Sequence, residues 1–116
     1  SGWPSGTFIS YRLTSGPASG LVVYVAENVT PEVYVGEVVG PETVLGVVHD
    51  SRTCMETGWA NVADPHEQAA AHYEYTGANS TAYGRNFSSL LARLGARPGL
   101  VQPGPPGPLP PGWPKW

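Results

Sequence analysis

Apolar residues in the second half of the chain recur at three- and four-residue steps along one segment. This spacing places them on one face of a helix, formed by Tyr83, Phe87, Leu90, Leu91 and Leu94. Asn79 or Ser80 precedes this face and offers a side-chain oxygen that can cap the first turn. Gly95 follows the last apolar position, where glycine commonly ends a helix. The pattern predicts a helix from about Ser80 to Leu94.

In the first half of the chain, apolar positions alternate or form short runs, which is typical of β-strands. The predicted strands are residues 7–13, 21–27, 32–39 and 44–48. The run over 21–27 is nearly continuous, so we expect a central strand buried on both faces. Residues 28–31 form a short connection, which favours an antiparallel hairpin with the next strand. Within the last strand, Gly46 indicates a bulge or a close approach of two backbones.

The segment between the predicted strands and the predicted helix has no clear period. We expect residues 50–63 to be irregular, with Met55 and Trp59 anchoring them on the core. Residues 64–67 have the composition of a helix start, with an aspartate cap, a proline in the first turn and a glutamate reaching back. A first helix is therefore predicted from this point to about Tyr75.

Proline and glycine dominate the chain from Pro98 onward, with eight prolines and four glycines in the last nineteen residues. Such a tail is expected to be extended or polyproline II. Trp113 and Trp116 near its end suggest that it docks on the domain. We therefore predict one α+β domain over residues 1–97, with a small antiparallel sheet of three to five strands followed by two helices. Residues 98–116 are the Pro-rich extended tail.

Composition limits the classes of partner. The 116 residues suffice for one domain with a modest core. A net charge of −3 with only 13% charged residues gives no electrostatic footprint for nucleic acid or anionic lipid. The longest apolar run, residues 21–26, is far too short to span a membrane. We predict no nucleic acid and no membrane, and expect a protein partner or a larger parent protein. No signal peptide is evident, although low charge is common in secreted proteins, so the compartment and the oligomeric state stay open.

Four residues are candidates for hydrolytic catalysis. His49 ends a predicted strand beside Asp50, a suitable place for a general base. Cys54 is the single thiol and would be the nucleophile if its pKa were lowered. Ser80, preceded by Asn79, lies at a helix N-terminus that would stabilise an oxyanion. The simpler interpretation, which we favour, is a strand-end histidine, a small buried cysteine and a helix cap.

Metal and cofactor chemistry has little support in the sequence. His66 and His72 lie about 240° apart around one predicted helix, so they cannot bind one ion together. A single cysteine also excludes a multi-cysteine zinc site. We predict no metal and no cofactor. Glycosylation sequons at Asn28, Asn79 and Asn86 are interpreted as chance matches.

The motif around the second helix resembles a pattern in uncharacterised bacterial domains. Here it consists of Gly77-Ala78-Asn79-Ser80-Thr81-Ala82-Tyr83, the pair Leu90-Leu91, Gly95, and a Pro-rich run ending in Pro111-Gly112-Trp113. The bacterial domains have roughly Gly-Pro-Asn-Ser-Asn-Thr/Ser-Phe, and they occur alone, in phage-related proteins and at the ends of secreted toxins. They are similar in layout to circularly permuted papain-like domains of the NlpC/P60 type. The resemblance covers about Leu21 to Trp113.

The resemblance implies a papain-like fold, with a histidine on the first central strand and an Asn-Cys pair opening a later helix. This chain departs from that pattern, because Ser80 stands in place of the cysteine and Ser19-Gly20-Leu21 in place of the histidine. Our first hypothesis is therefore a non-catalytic or divergent papain-like domain of bacterial or phage origin that acts as a structural or binding module. The alternative is an amide or ester hydrolase, a toxin or cell-wall amidase, with Ser80 or Cys54 as nucleophile and His49 as base.

Overall fold

Five antiparallel strands in two sheets, together with two helices, form the described part of this small α+β domain. The structure, a computed structural model, describes residues 7–50, 52, 54–73, 81–97, 109 and 112–116. In chain order the elements are β1 (Ile9–Arg12), β2 (Val22–Ala26), β3 (Val29–Pro31), β4 (Gly46–Val48), β5 (Glu56–Trp59), α1 (Ala69–Tyr73) and α2 (Ala82–Arg93). The larger sheet has the order β1-β2-β5, and the smaller sheet pairs β3 with β4. The α+β class predicted from the sequence is confirmed.

The central strand β2 is buried on both faces, as its apolar run predicts. Successive side chains of a strand point to opposite faces. Val22 and Tyr24 accordingly belong to a cluster with Phe8, whose ring stacks on Tyr24 at a centroid distance of 4.9 Å. Val23 belongs to the other cluster, which contains Trp59 and the aromatic residues of α2. Two small cores therefore lie on the two faces of one sheet.

The predicted hairpin across residues 28–31 is wrong, because these residues contain β3, which pairs with β4 in the second sheet. Glu27 and Asn28 have positive φ angles of 59° and 49°, and this pair bends the chain out of β2. The predicted close approach at Gly46 is confirmed. A Cβ atom on Gly46 would lie 2.6 Å from the Thr30 carbonyl oxygen.

The strand predicted over residues 32–39 is also wrong, because one turn interrupts it and a second turn follows. The Glu37 N–H donates to the Tyr34 carbonyl at 3.1 Å, and the Thr43 N–H donates to the Gly40 carbonyl at 3.1 Å. Gly36 permits the first turn, since its φ of 92° is readily adopted only by glycine. Alternating valines alone do not make a strand when no neighbouring strand pairs with them.

The irregular structure predicted for residues 50–63 is wrong at β5, which pairs with β2 along its whole length. Its sequence Glu-Thr-Gly-Trp has no apolar alternation, so only the pairing partner defines it as a strand. Trp59 is an anchor as predicted, with 2% of its surface exposed. Met55 is not an anchor, because it is 45% exposed.

The first helix begins at Ala69, later than the predicted start at Asp64. The Asp64 carboxylate accepts the His66 N–H at 3.2 Å, and the Asp64 carbonyl accepts the Glu67 N–H at 3.0 Å. These bonds close a turn, after which Gln68 forms a bridge with Ala60. The predicted end near Tyr75 lies outside the described residues.

The second helix has the predicted location, but its N-cap is Thr81 and not Asn79 or Ser80. The Thr81 hydroxyl accepts the Gly84 N–H at 3.0 Å, which satisfies one unpaired donor of the first turn. At the other end, Gly95 has a φ of 94°. The Ala96 N–H donates to the Leu91 carbonyl, and the Gly95 N–H donates to the Ala92 carbonyl. This is a Schellman ending of the kind that glycine favours.

The apolar face of α2 covers the sheet at β5. Tyr83 and Phe87 are buried, and the Phe87 ring meets the Trp59 ring edge-to-face at 5.1 Å. Leu90 and Leu91 are partly buried against the same cluster. Leu94 departs from the predicted face, because it is the C-cap of the helix and is 74% exposed.

The last described residues lie against this core. The Trp113 ring is 6.1 Å from the Trp59 ring and 5.1 Å from the Tyr83 ring. Leu109 and Trp116 also contact the cluster. Most of residues 98–111 lie outside the described residues, so the division into a domain of residues 1–97 and a tail stays a prediction. None of the helices described has the length and apolar character that crossing a membrane requires.

Candidate functional site

His49, the predicted general base, follows β4 and is exposed to solvent. Its Nδ1 atom lies 3.4 Å from the Thr30 hydroxyl, and its backbone N–H donates to the Asn28 carbonyl at 3.2 Å. The neighbouring Asp50 carboxylate accepts hydrogen bonds from the Arg52 backbone and guanidinium, at 3.0 and 3.2 Å. The negative charge of Asp50 is therefore balanced by Arg52.

Cys54 lies in the short segment before β5 and is exposed, so the expectation of a buried cysteine is wrong. It precedes a strand and does not open a helix, so it lacks the helix N-terminus at which nucleophilic cysteines are often found. Among the described residues, no hydrogen bond joins Cys54 to His49. Asn79 and Ser80 lie outside the described residues, so their roles stay predictions.

Two carboxylates that could orient an imidazole have other partners. The Tyr24 hydroxyl donates to the Glu56 carboxylate at 2.5 Å, and the Gln68 amide donates to the same carboxylate oxygen and, at 3.0 Å, to the Tyr24 hydroxyl. Asp64 holds the turn before α1. The described residues therefore do not assemble a nucleophile, a base and an orienting carboxylate in one place.

The Tyr24 cluster is a structural contact between β2, β5 and the turn before α1. Burial raises the pKa of the Tyr24 phenol above its ordinary value of 10.0, and the hydrogen bond and negative charge of Glu56 raise it further. The phenol consequently stays protonated at neutral pH and acts as a donor to the carboxylate.

The remaining histidines, His66 and His72, lie on different elements of the structure. His66 lies in the turn before α1 and not on the helix, so the two histidines do not share the predicted helix. His72 Nδ1 lies 3.2 Å from the Glu67 carboxylate. Over the described parts of the chain, no group of three or more potential ligands lies together.

Asn86 makes hydrogen bonds that connect several parts of the fold, and the sequence analysis did not identify it. Its Oδ1 atom accepts the indole N–H groups of Trp59, at 2.9 Å, and Trp116, at 3.0 Å. Its Nδ2 atom donates to the Pro114 carbonyl at 2.6 Å. The available signal was a polar residue within the apolar stripe of α2, three positions after Tyr83. A buried amide in such a place requires hydrogen-bond partners.

The two described sequon asparagines are inaccessible. Asn28 is 1% exposed and Asn86 is 8% exposed. The Asn28 amide also donates to the Asp50 carbonyl at 2.5 Å. Neither side chain is available for glycosylation in the folded domain.

An open pocket of about 330 Å³ lies between α2 and the last residues of the chain. It is lined by Ala82, Arg85, Asn86, Ser89, Leu109, Lys115 and Trp116. Its volume is at the lower limit of small-molecule sites. Because Asn86 bridges its two walls, the pocket is best explained as the seam along which the end of the chain packs.

Exposed large apolar side chains are concentrated in one segment of the described structure, residues 32–48, which we name the valine arm. Nine large apolar side chains are exposed among the described residues, and six of them lie in the arm. These six are Tyr34, Val35, Val38, Val44, Val47 and Val48. Val35, Val38 and Val44 are 103%, 95% and 61% exposed.

The valine arm is held in a defined conformation by hydrogen bonds. The Glu32 N–H donates to the Leu45 carbonyl at 2.8 Å, which extends the pairing of β3 with β4 by one residue. The Glu37 carboxylate accepts the Tyr34 N–H at 3.2 Å. The Gly40 N–H donates to the Thr43 hydroxyl at 2.8 Å. The backbone that carries the exposed valines is therefore held by hydrogen bonds.

No protein-family model, curated protein or solved structure matches this chain. The papain-like resemblance consequently stays a prediction that rests on the motif residues alone.

Proposed function

We propose that this chain is a non-catalytic binding module, a divergent papain-like domain of bacterial or phage origin, that binds a protein partner through the valine arm. The observation that carries the proposal is the concentration of exposed apolar side chains in this arm. Large apolar side chains that a fold leaves in solvent are a common feature of interaction sites on soluble domains.

Burying the exposed valines of the arm would supply free energy for binding a partner. Burying a valine that is fully exposed stabilises a complex by about 1.5 kcal/mol or more. Val35 and Val38 have nearly all of their surface exposed in the isolated chain. Because turns already fix the arm, binding would require little additional ordering of the backbone. A partner that covers these two residues would therefore gain affinity from surface that contributes nothing to the fold.

The non-catalytic part of the proposal is supported by the surroundings of His49 and Cys54. Both are exposed, and no hydrogen bond joins them among the described residues. The papain-like part is supported by the sequence motif that leads into α2. The packing of that helix against β5 of the antiparallel sheet is compatible with such a layout.

A peptide-display selection tests the proposal. The wild-type domain and a Val35→Ser/Val38→Ser variant are presented separately to a library of random peptides. A Leu94→Ser variant is the matched control, because Leu94 is also exposed but lies at the end of α2. We expect enriched peptides that bind the wild type and the control but bind the arm variant at least about tenfold more weakly.

Two results would overturn the proposal. Selected peptides that bind the arm variant as tightly as the wild type would show that the arm is not the binding surface. Hydrolysis of an amide or ester substrate that is lost in Ser80→Ala, Cys54→Ser or His49→Gln would replace the binding module with the hydrolase hypothesis.

A further inference from the structure

The outer edge of β4 has no partner strand among the described residues. The Glu32–Leu45 and Asn28–His49 hydrogen bonds fix which residues of the small sheet are bonded pairs. Bonded and non-bonded pairs alternate in an antiparallel ladder. Since Val48 pairs with Val29 and Gly46 with Pro31, these two are the non-bonded pairs. Gly46 and Val48 therefore point their N–H and C=O groups away from β3.

The opposite edge of the small sheet is blocked. Pro31 belongs to a non-bonded pair, so its nitrogen faces the outer side of β3, where proline has no N–H to donate. Proline on an outer strand is a common means of preventing strand addition. The edge of β4 contains neither proline nor a charged residue, so it remains competent to pair.

Charge indicates what can occupy this edge. The sequence from Leu13 to Ser51 contains five acidic residues and no lysine or arginine. Arg52 balances the charge of Asp50, whereas Glu32 and Glu42 are exposed on the valine arm. The arm therefore combines exposed apolar side chains with exposed carboxylates.

A second copy of this chain is a poor occupant. A twofold-symmetric pairing places the same patch of each copy against the other. Each copy would then bring its exposed Glu32 and Glu42 toward the shared surface, and like charges brought together across an interface oppose association. A basic partner has the complementary charge.

We propose that the β4 edge accepts, by β-strand addition, an extended partner segment with alternating apolar residues flanked by lysine or arginine. This inference rests on the proposed function and specifies the partner of the same surface. The partner backbone pairs with Gly46 and Val48, and its apolar side chains lie on one face of the sheet, beside an exposed valine of β4. Main-chain hydrogen bonds supply affinity in this mode of binding, and the flanking charges supply specificity and a faster association.

Three synthetic peptides test the partner chemistry. The probe is a labelled, end-blocked Lys-Val-Thr-Val-Thr-Val-Lys, measured by fluorescence anisotropy at low and high salt. One control replaces both lysines with glutamate, and the other carries N-methyl groups on the amides of both edges. We expect the glutamate peptide to bind at least about tenfold more weakly at low salt. The N-methylated peptide should lose about tenfold or more, since it cannot donate along the strand.

Two matched protein variants test the β4 edge. Val48→Pro removes the outward N–H but leaves the Val47–Thr30 pairing intact, and Val48→Ile keeps both the N–H and the apolar surface. We expect about fivefold weaker binding of the lysine probe for proline and unchanged binding for isoleucine. Glu32→Gln combined with Glu42→Gln should weaken binding about threefold to tenfold and flatten the salt dependence.

The outcomes separate this inference from the proposed function. Peptides from the display selection that require the arm for binding, but whose affinity changes neither with flanking charge nor with N-methylation, would overturn strand addition. That result would not contradict the proposed binding module. A concentration-dependent dimer that Val48→Pro abolishes would show that a second copy occupies the edge, and this too would overturn the inference. Since N-methylation is placed on the peptide, that test stands even if Val48→Pro fails to fold.

Discussion

Replacing Asn86 with leucine removes a side chain that joins α2, the sheet and the end of the chain through hydrogen bonds. The amide accepts two indole N–H groups and donates to the Pro114 carbonyl. Leucine has the same number and branching of side-chain heavy atoms, so the substitution removes hydrogen bonds without creating a cavity. The expected loss of stability can therefore be estimated from the hydrogen bonds alone.

Trp59 dominates the estimate. Its ring is 2% exposed, so its N–H cannot reach water once the acceptor is gone. An unsatisfied buried donor costs about 1–3 kcal/mol. Trp116 and Pro114 are only partly buried, and each of their lost bonds costs about 0.5–1 kcal/mol because water replaces the partner. Asn86→Leu should lower the free energy of unfolding by about 2–5 kcal/mol, a large share of a typical total of about 5–15 kcal/mol.

Urea unfolding followed by far-ultraviolet circular dichroism measures this loss without depending on tryptophan fluorescence. Ser89→Ala, at an exposed position of the same helix, is the control and should change stability by less than about 0.5 kcal/mol. A double-mutant cycle with Trp116→Phe should give a coupling energy of about 0.5–1 kcal/mol. A loss below about 1 kcal/mol for Asn86→Leu, or no coupling to Trp116, would refute the idea that this amide holds the indoles in place.

Three further predictions concern the core, the cap and alkaline stability. Phe87→Ala should destabilise the domain by about 3–5 kcal/mol, because Phe87 is buried against Trp59. Leu94→Ala, at an exposed position, should change stability by less than about 0.5 kcal/mol. Equal effects of the two substitutions in urea unfolding would contradict the assigned apolar face of α2. Thr81→Ala should lower the free energy of unfolding by about 0.5–2 kcal/mol, whereas Thr81→Ser keeps the hydroxyl and should retain most of the stability. Equal stability of the two variants would show that the hydroxyl does not cap α2. The pKa of Tyr24 is raised in the folded state, so the unfolded phenol ionises first and stability should fall as pH rises above about 10. Tyr24→Phe should make this decline shallower in alkaline unfolding curves, and an unchanged slope would contradict the shift.

Local signals in the sequence were sufficient for the elements whose stability depends on neighbouring residues. The run that became β2 is apolar at every position, and any arrangement that removes it from water must bury both faces. Helix α2 combines an apolar stripe with a terminal Gly95, whose positive φ ends the helix as predicted. The cap was misplaced by one or two residues, because Asn79, Ser80 and Thr81 have nearly equal capping ability and only the backbone geometry selects among them.

Tertiary structure alone decided the elements with weak local preferences. β5 is a strand because β2 offers a free ladder of hydrogen bonds to the segment ending at Trp59. Residues 32–39 have the alternation of a strand, yet they turn at Gly36, and no strand of the described structure pairs with them. Pairing partners distant in the chain leave no periodic trace in the sequence, so such errors are inherent to local patterns.

The candidate sites differ in the same way. His49 and Cys54 could be named as reactive residue types from the sequence, but only the fold shows that both are exposed and that Asp50 is paired with Arg52. Asn86 gained its role through Trp59 and Trp116, which lie 27 and 30 residues away in the chain. The exposure of the valine arm is likewise a tertiary property, because the alternation predicted a strand but not which of its faces would be left in solvent. The sequence by itself determined which segments must be buried or helical, since those preferences are local. The tertiary structure decided which apolar residues stay in solvent, since that depends on which surfaces the two small sheets leave uncovered.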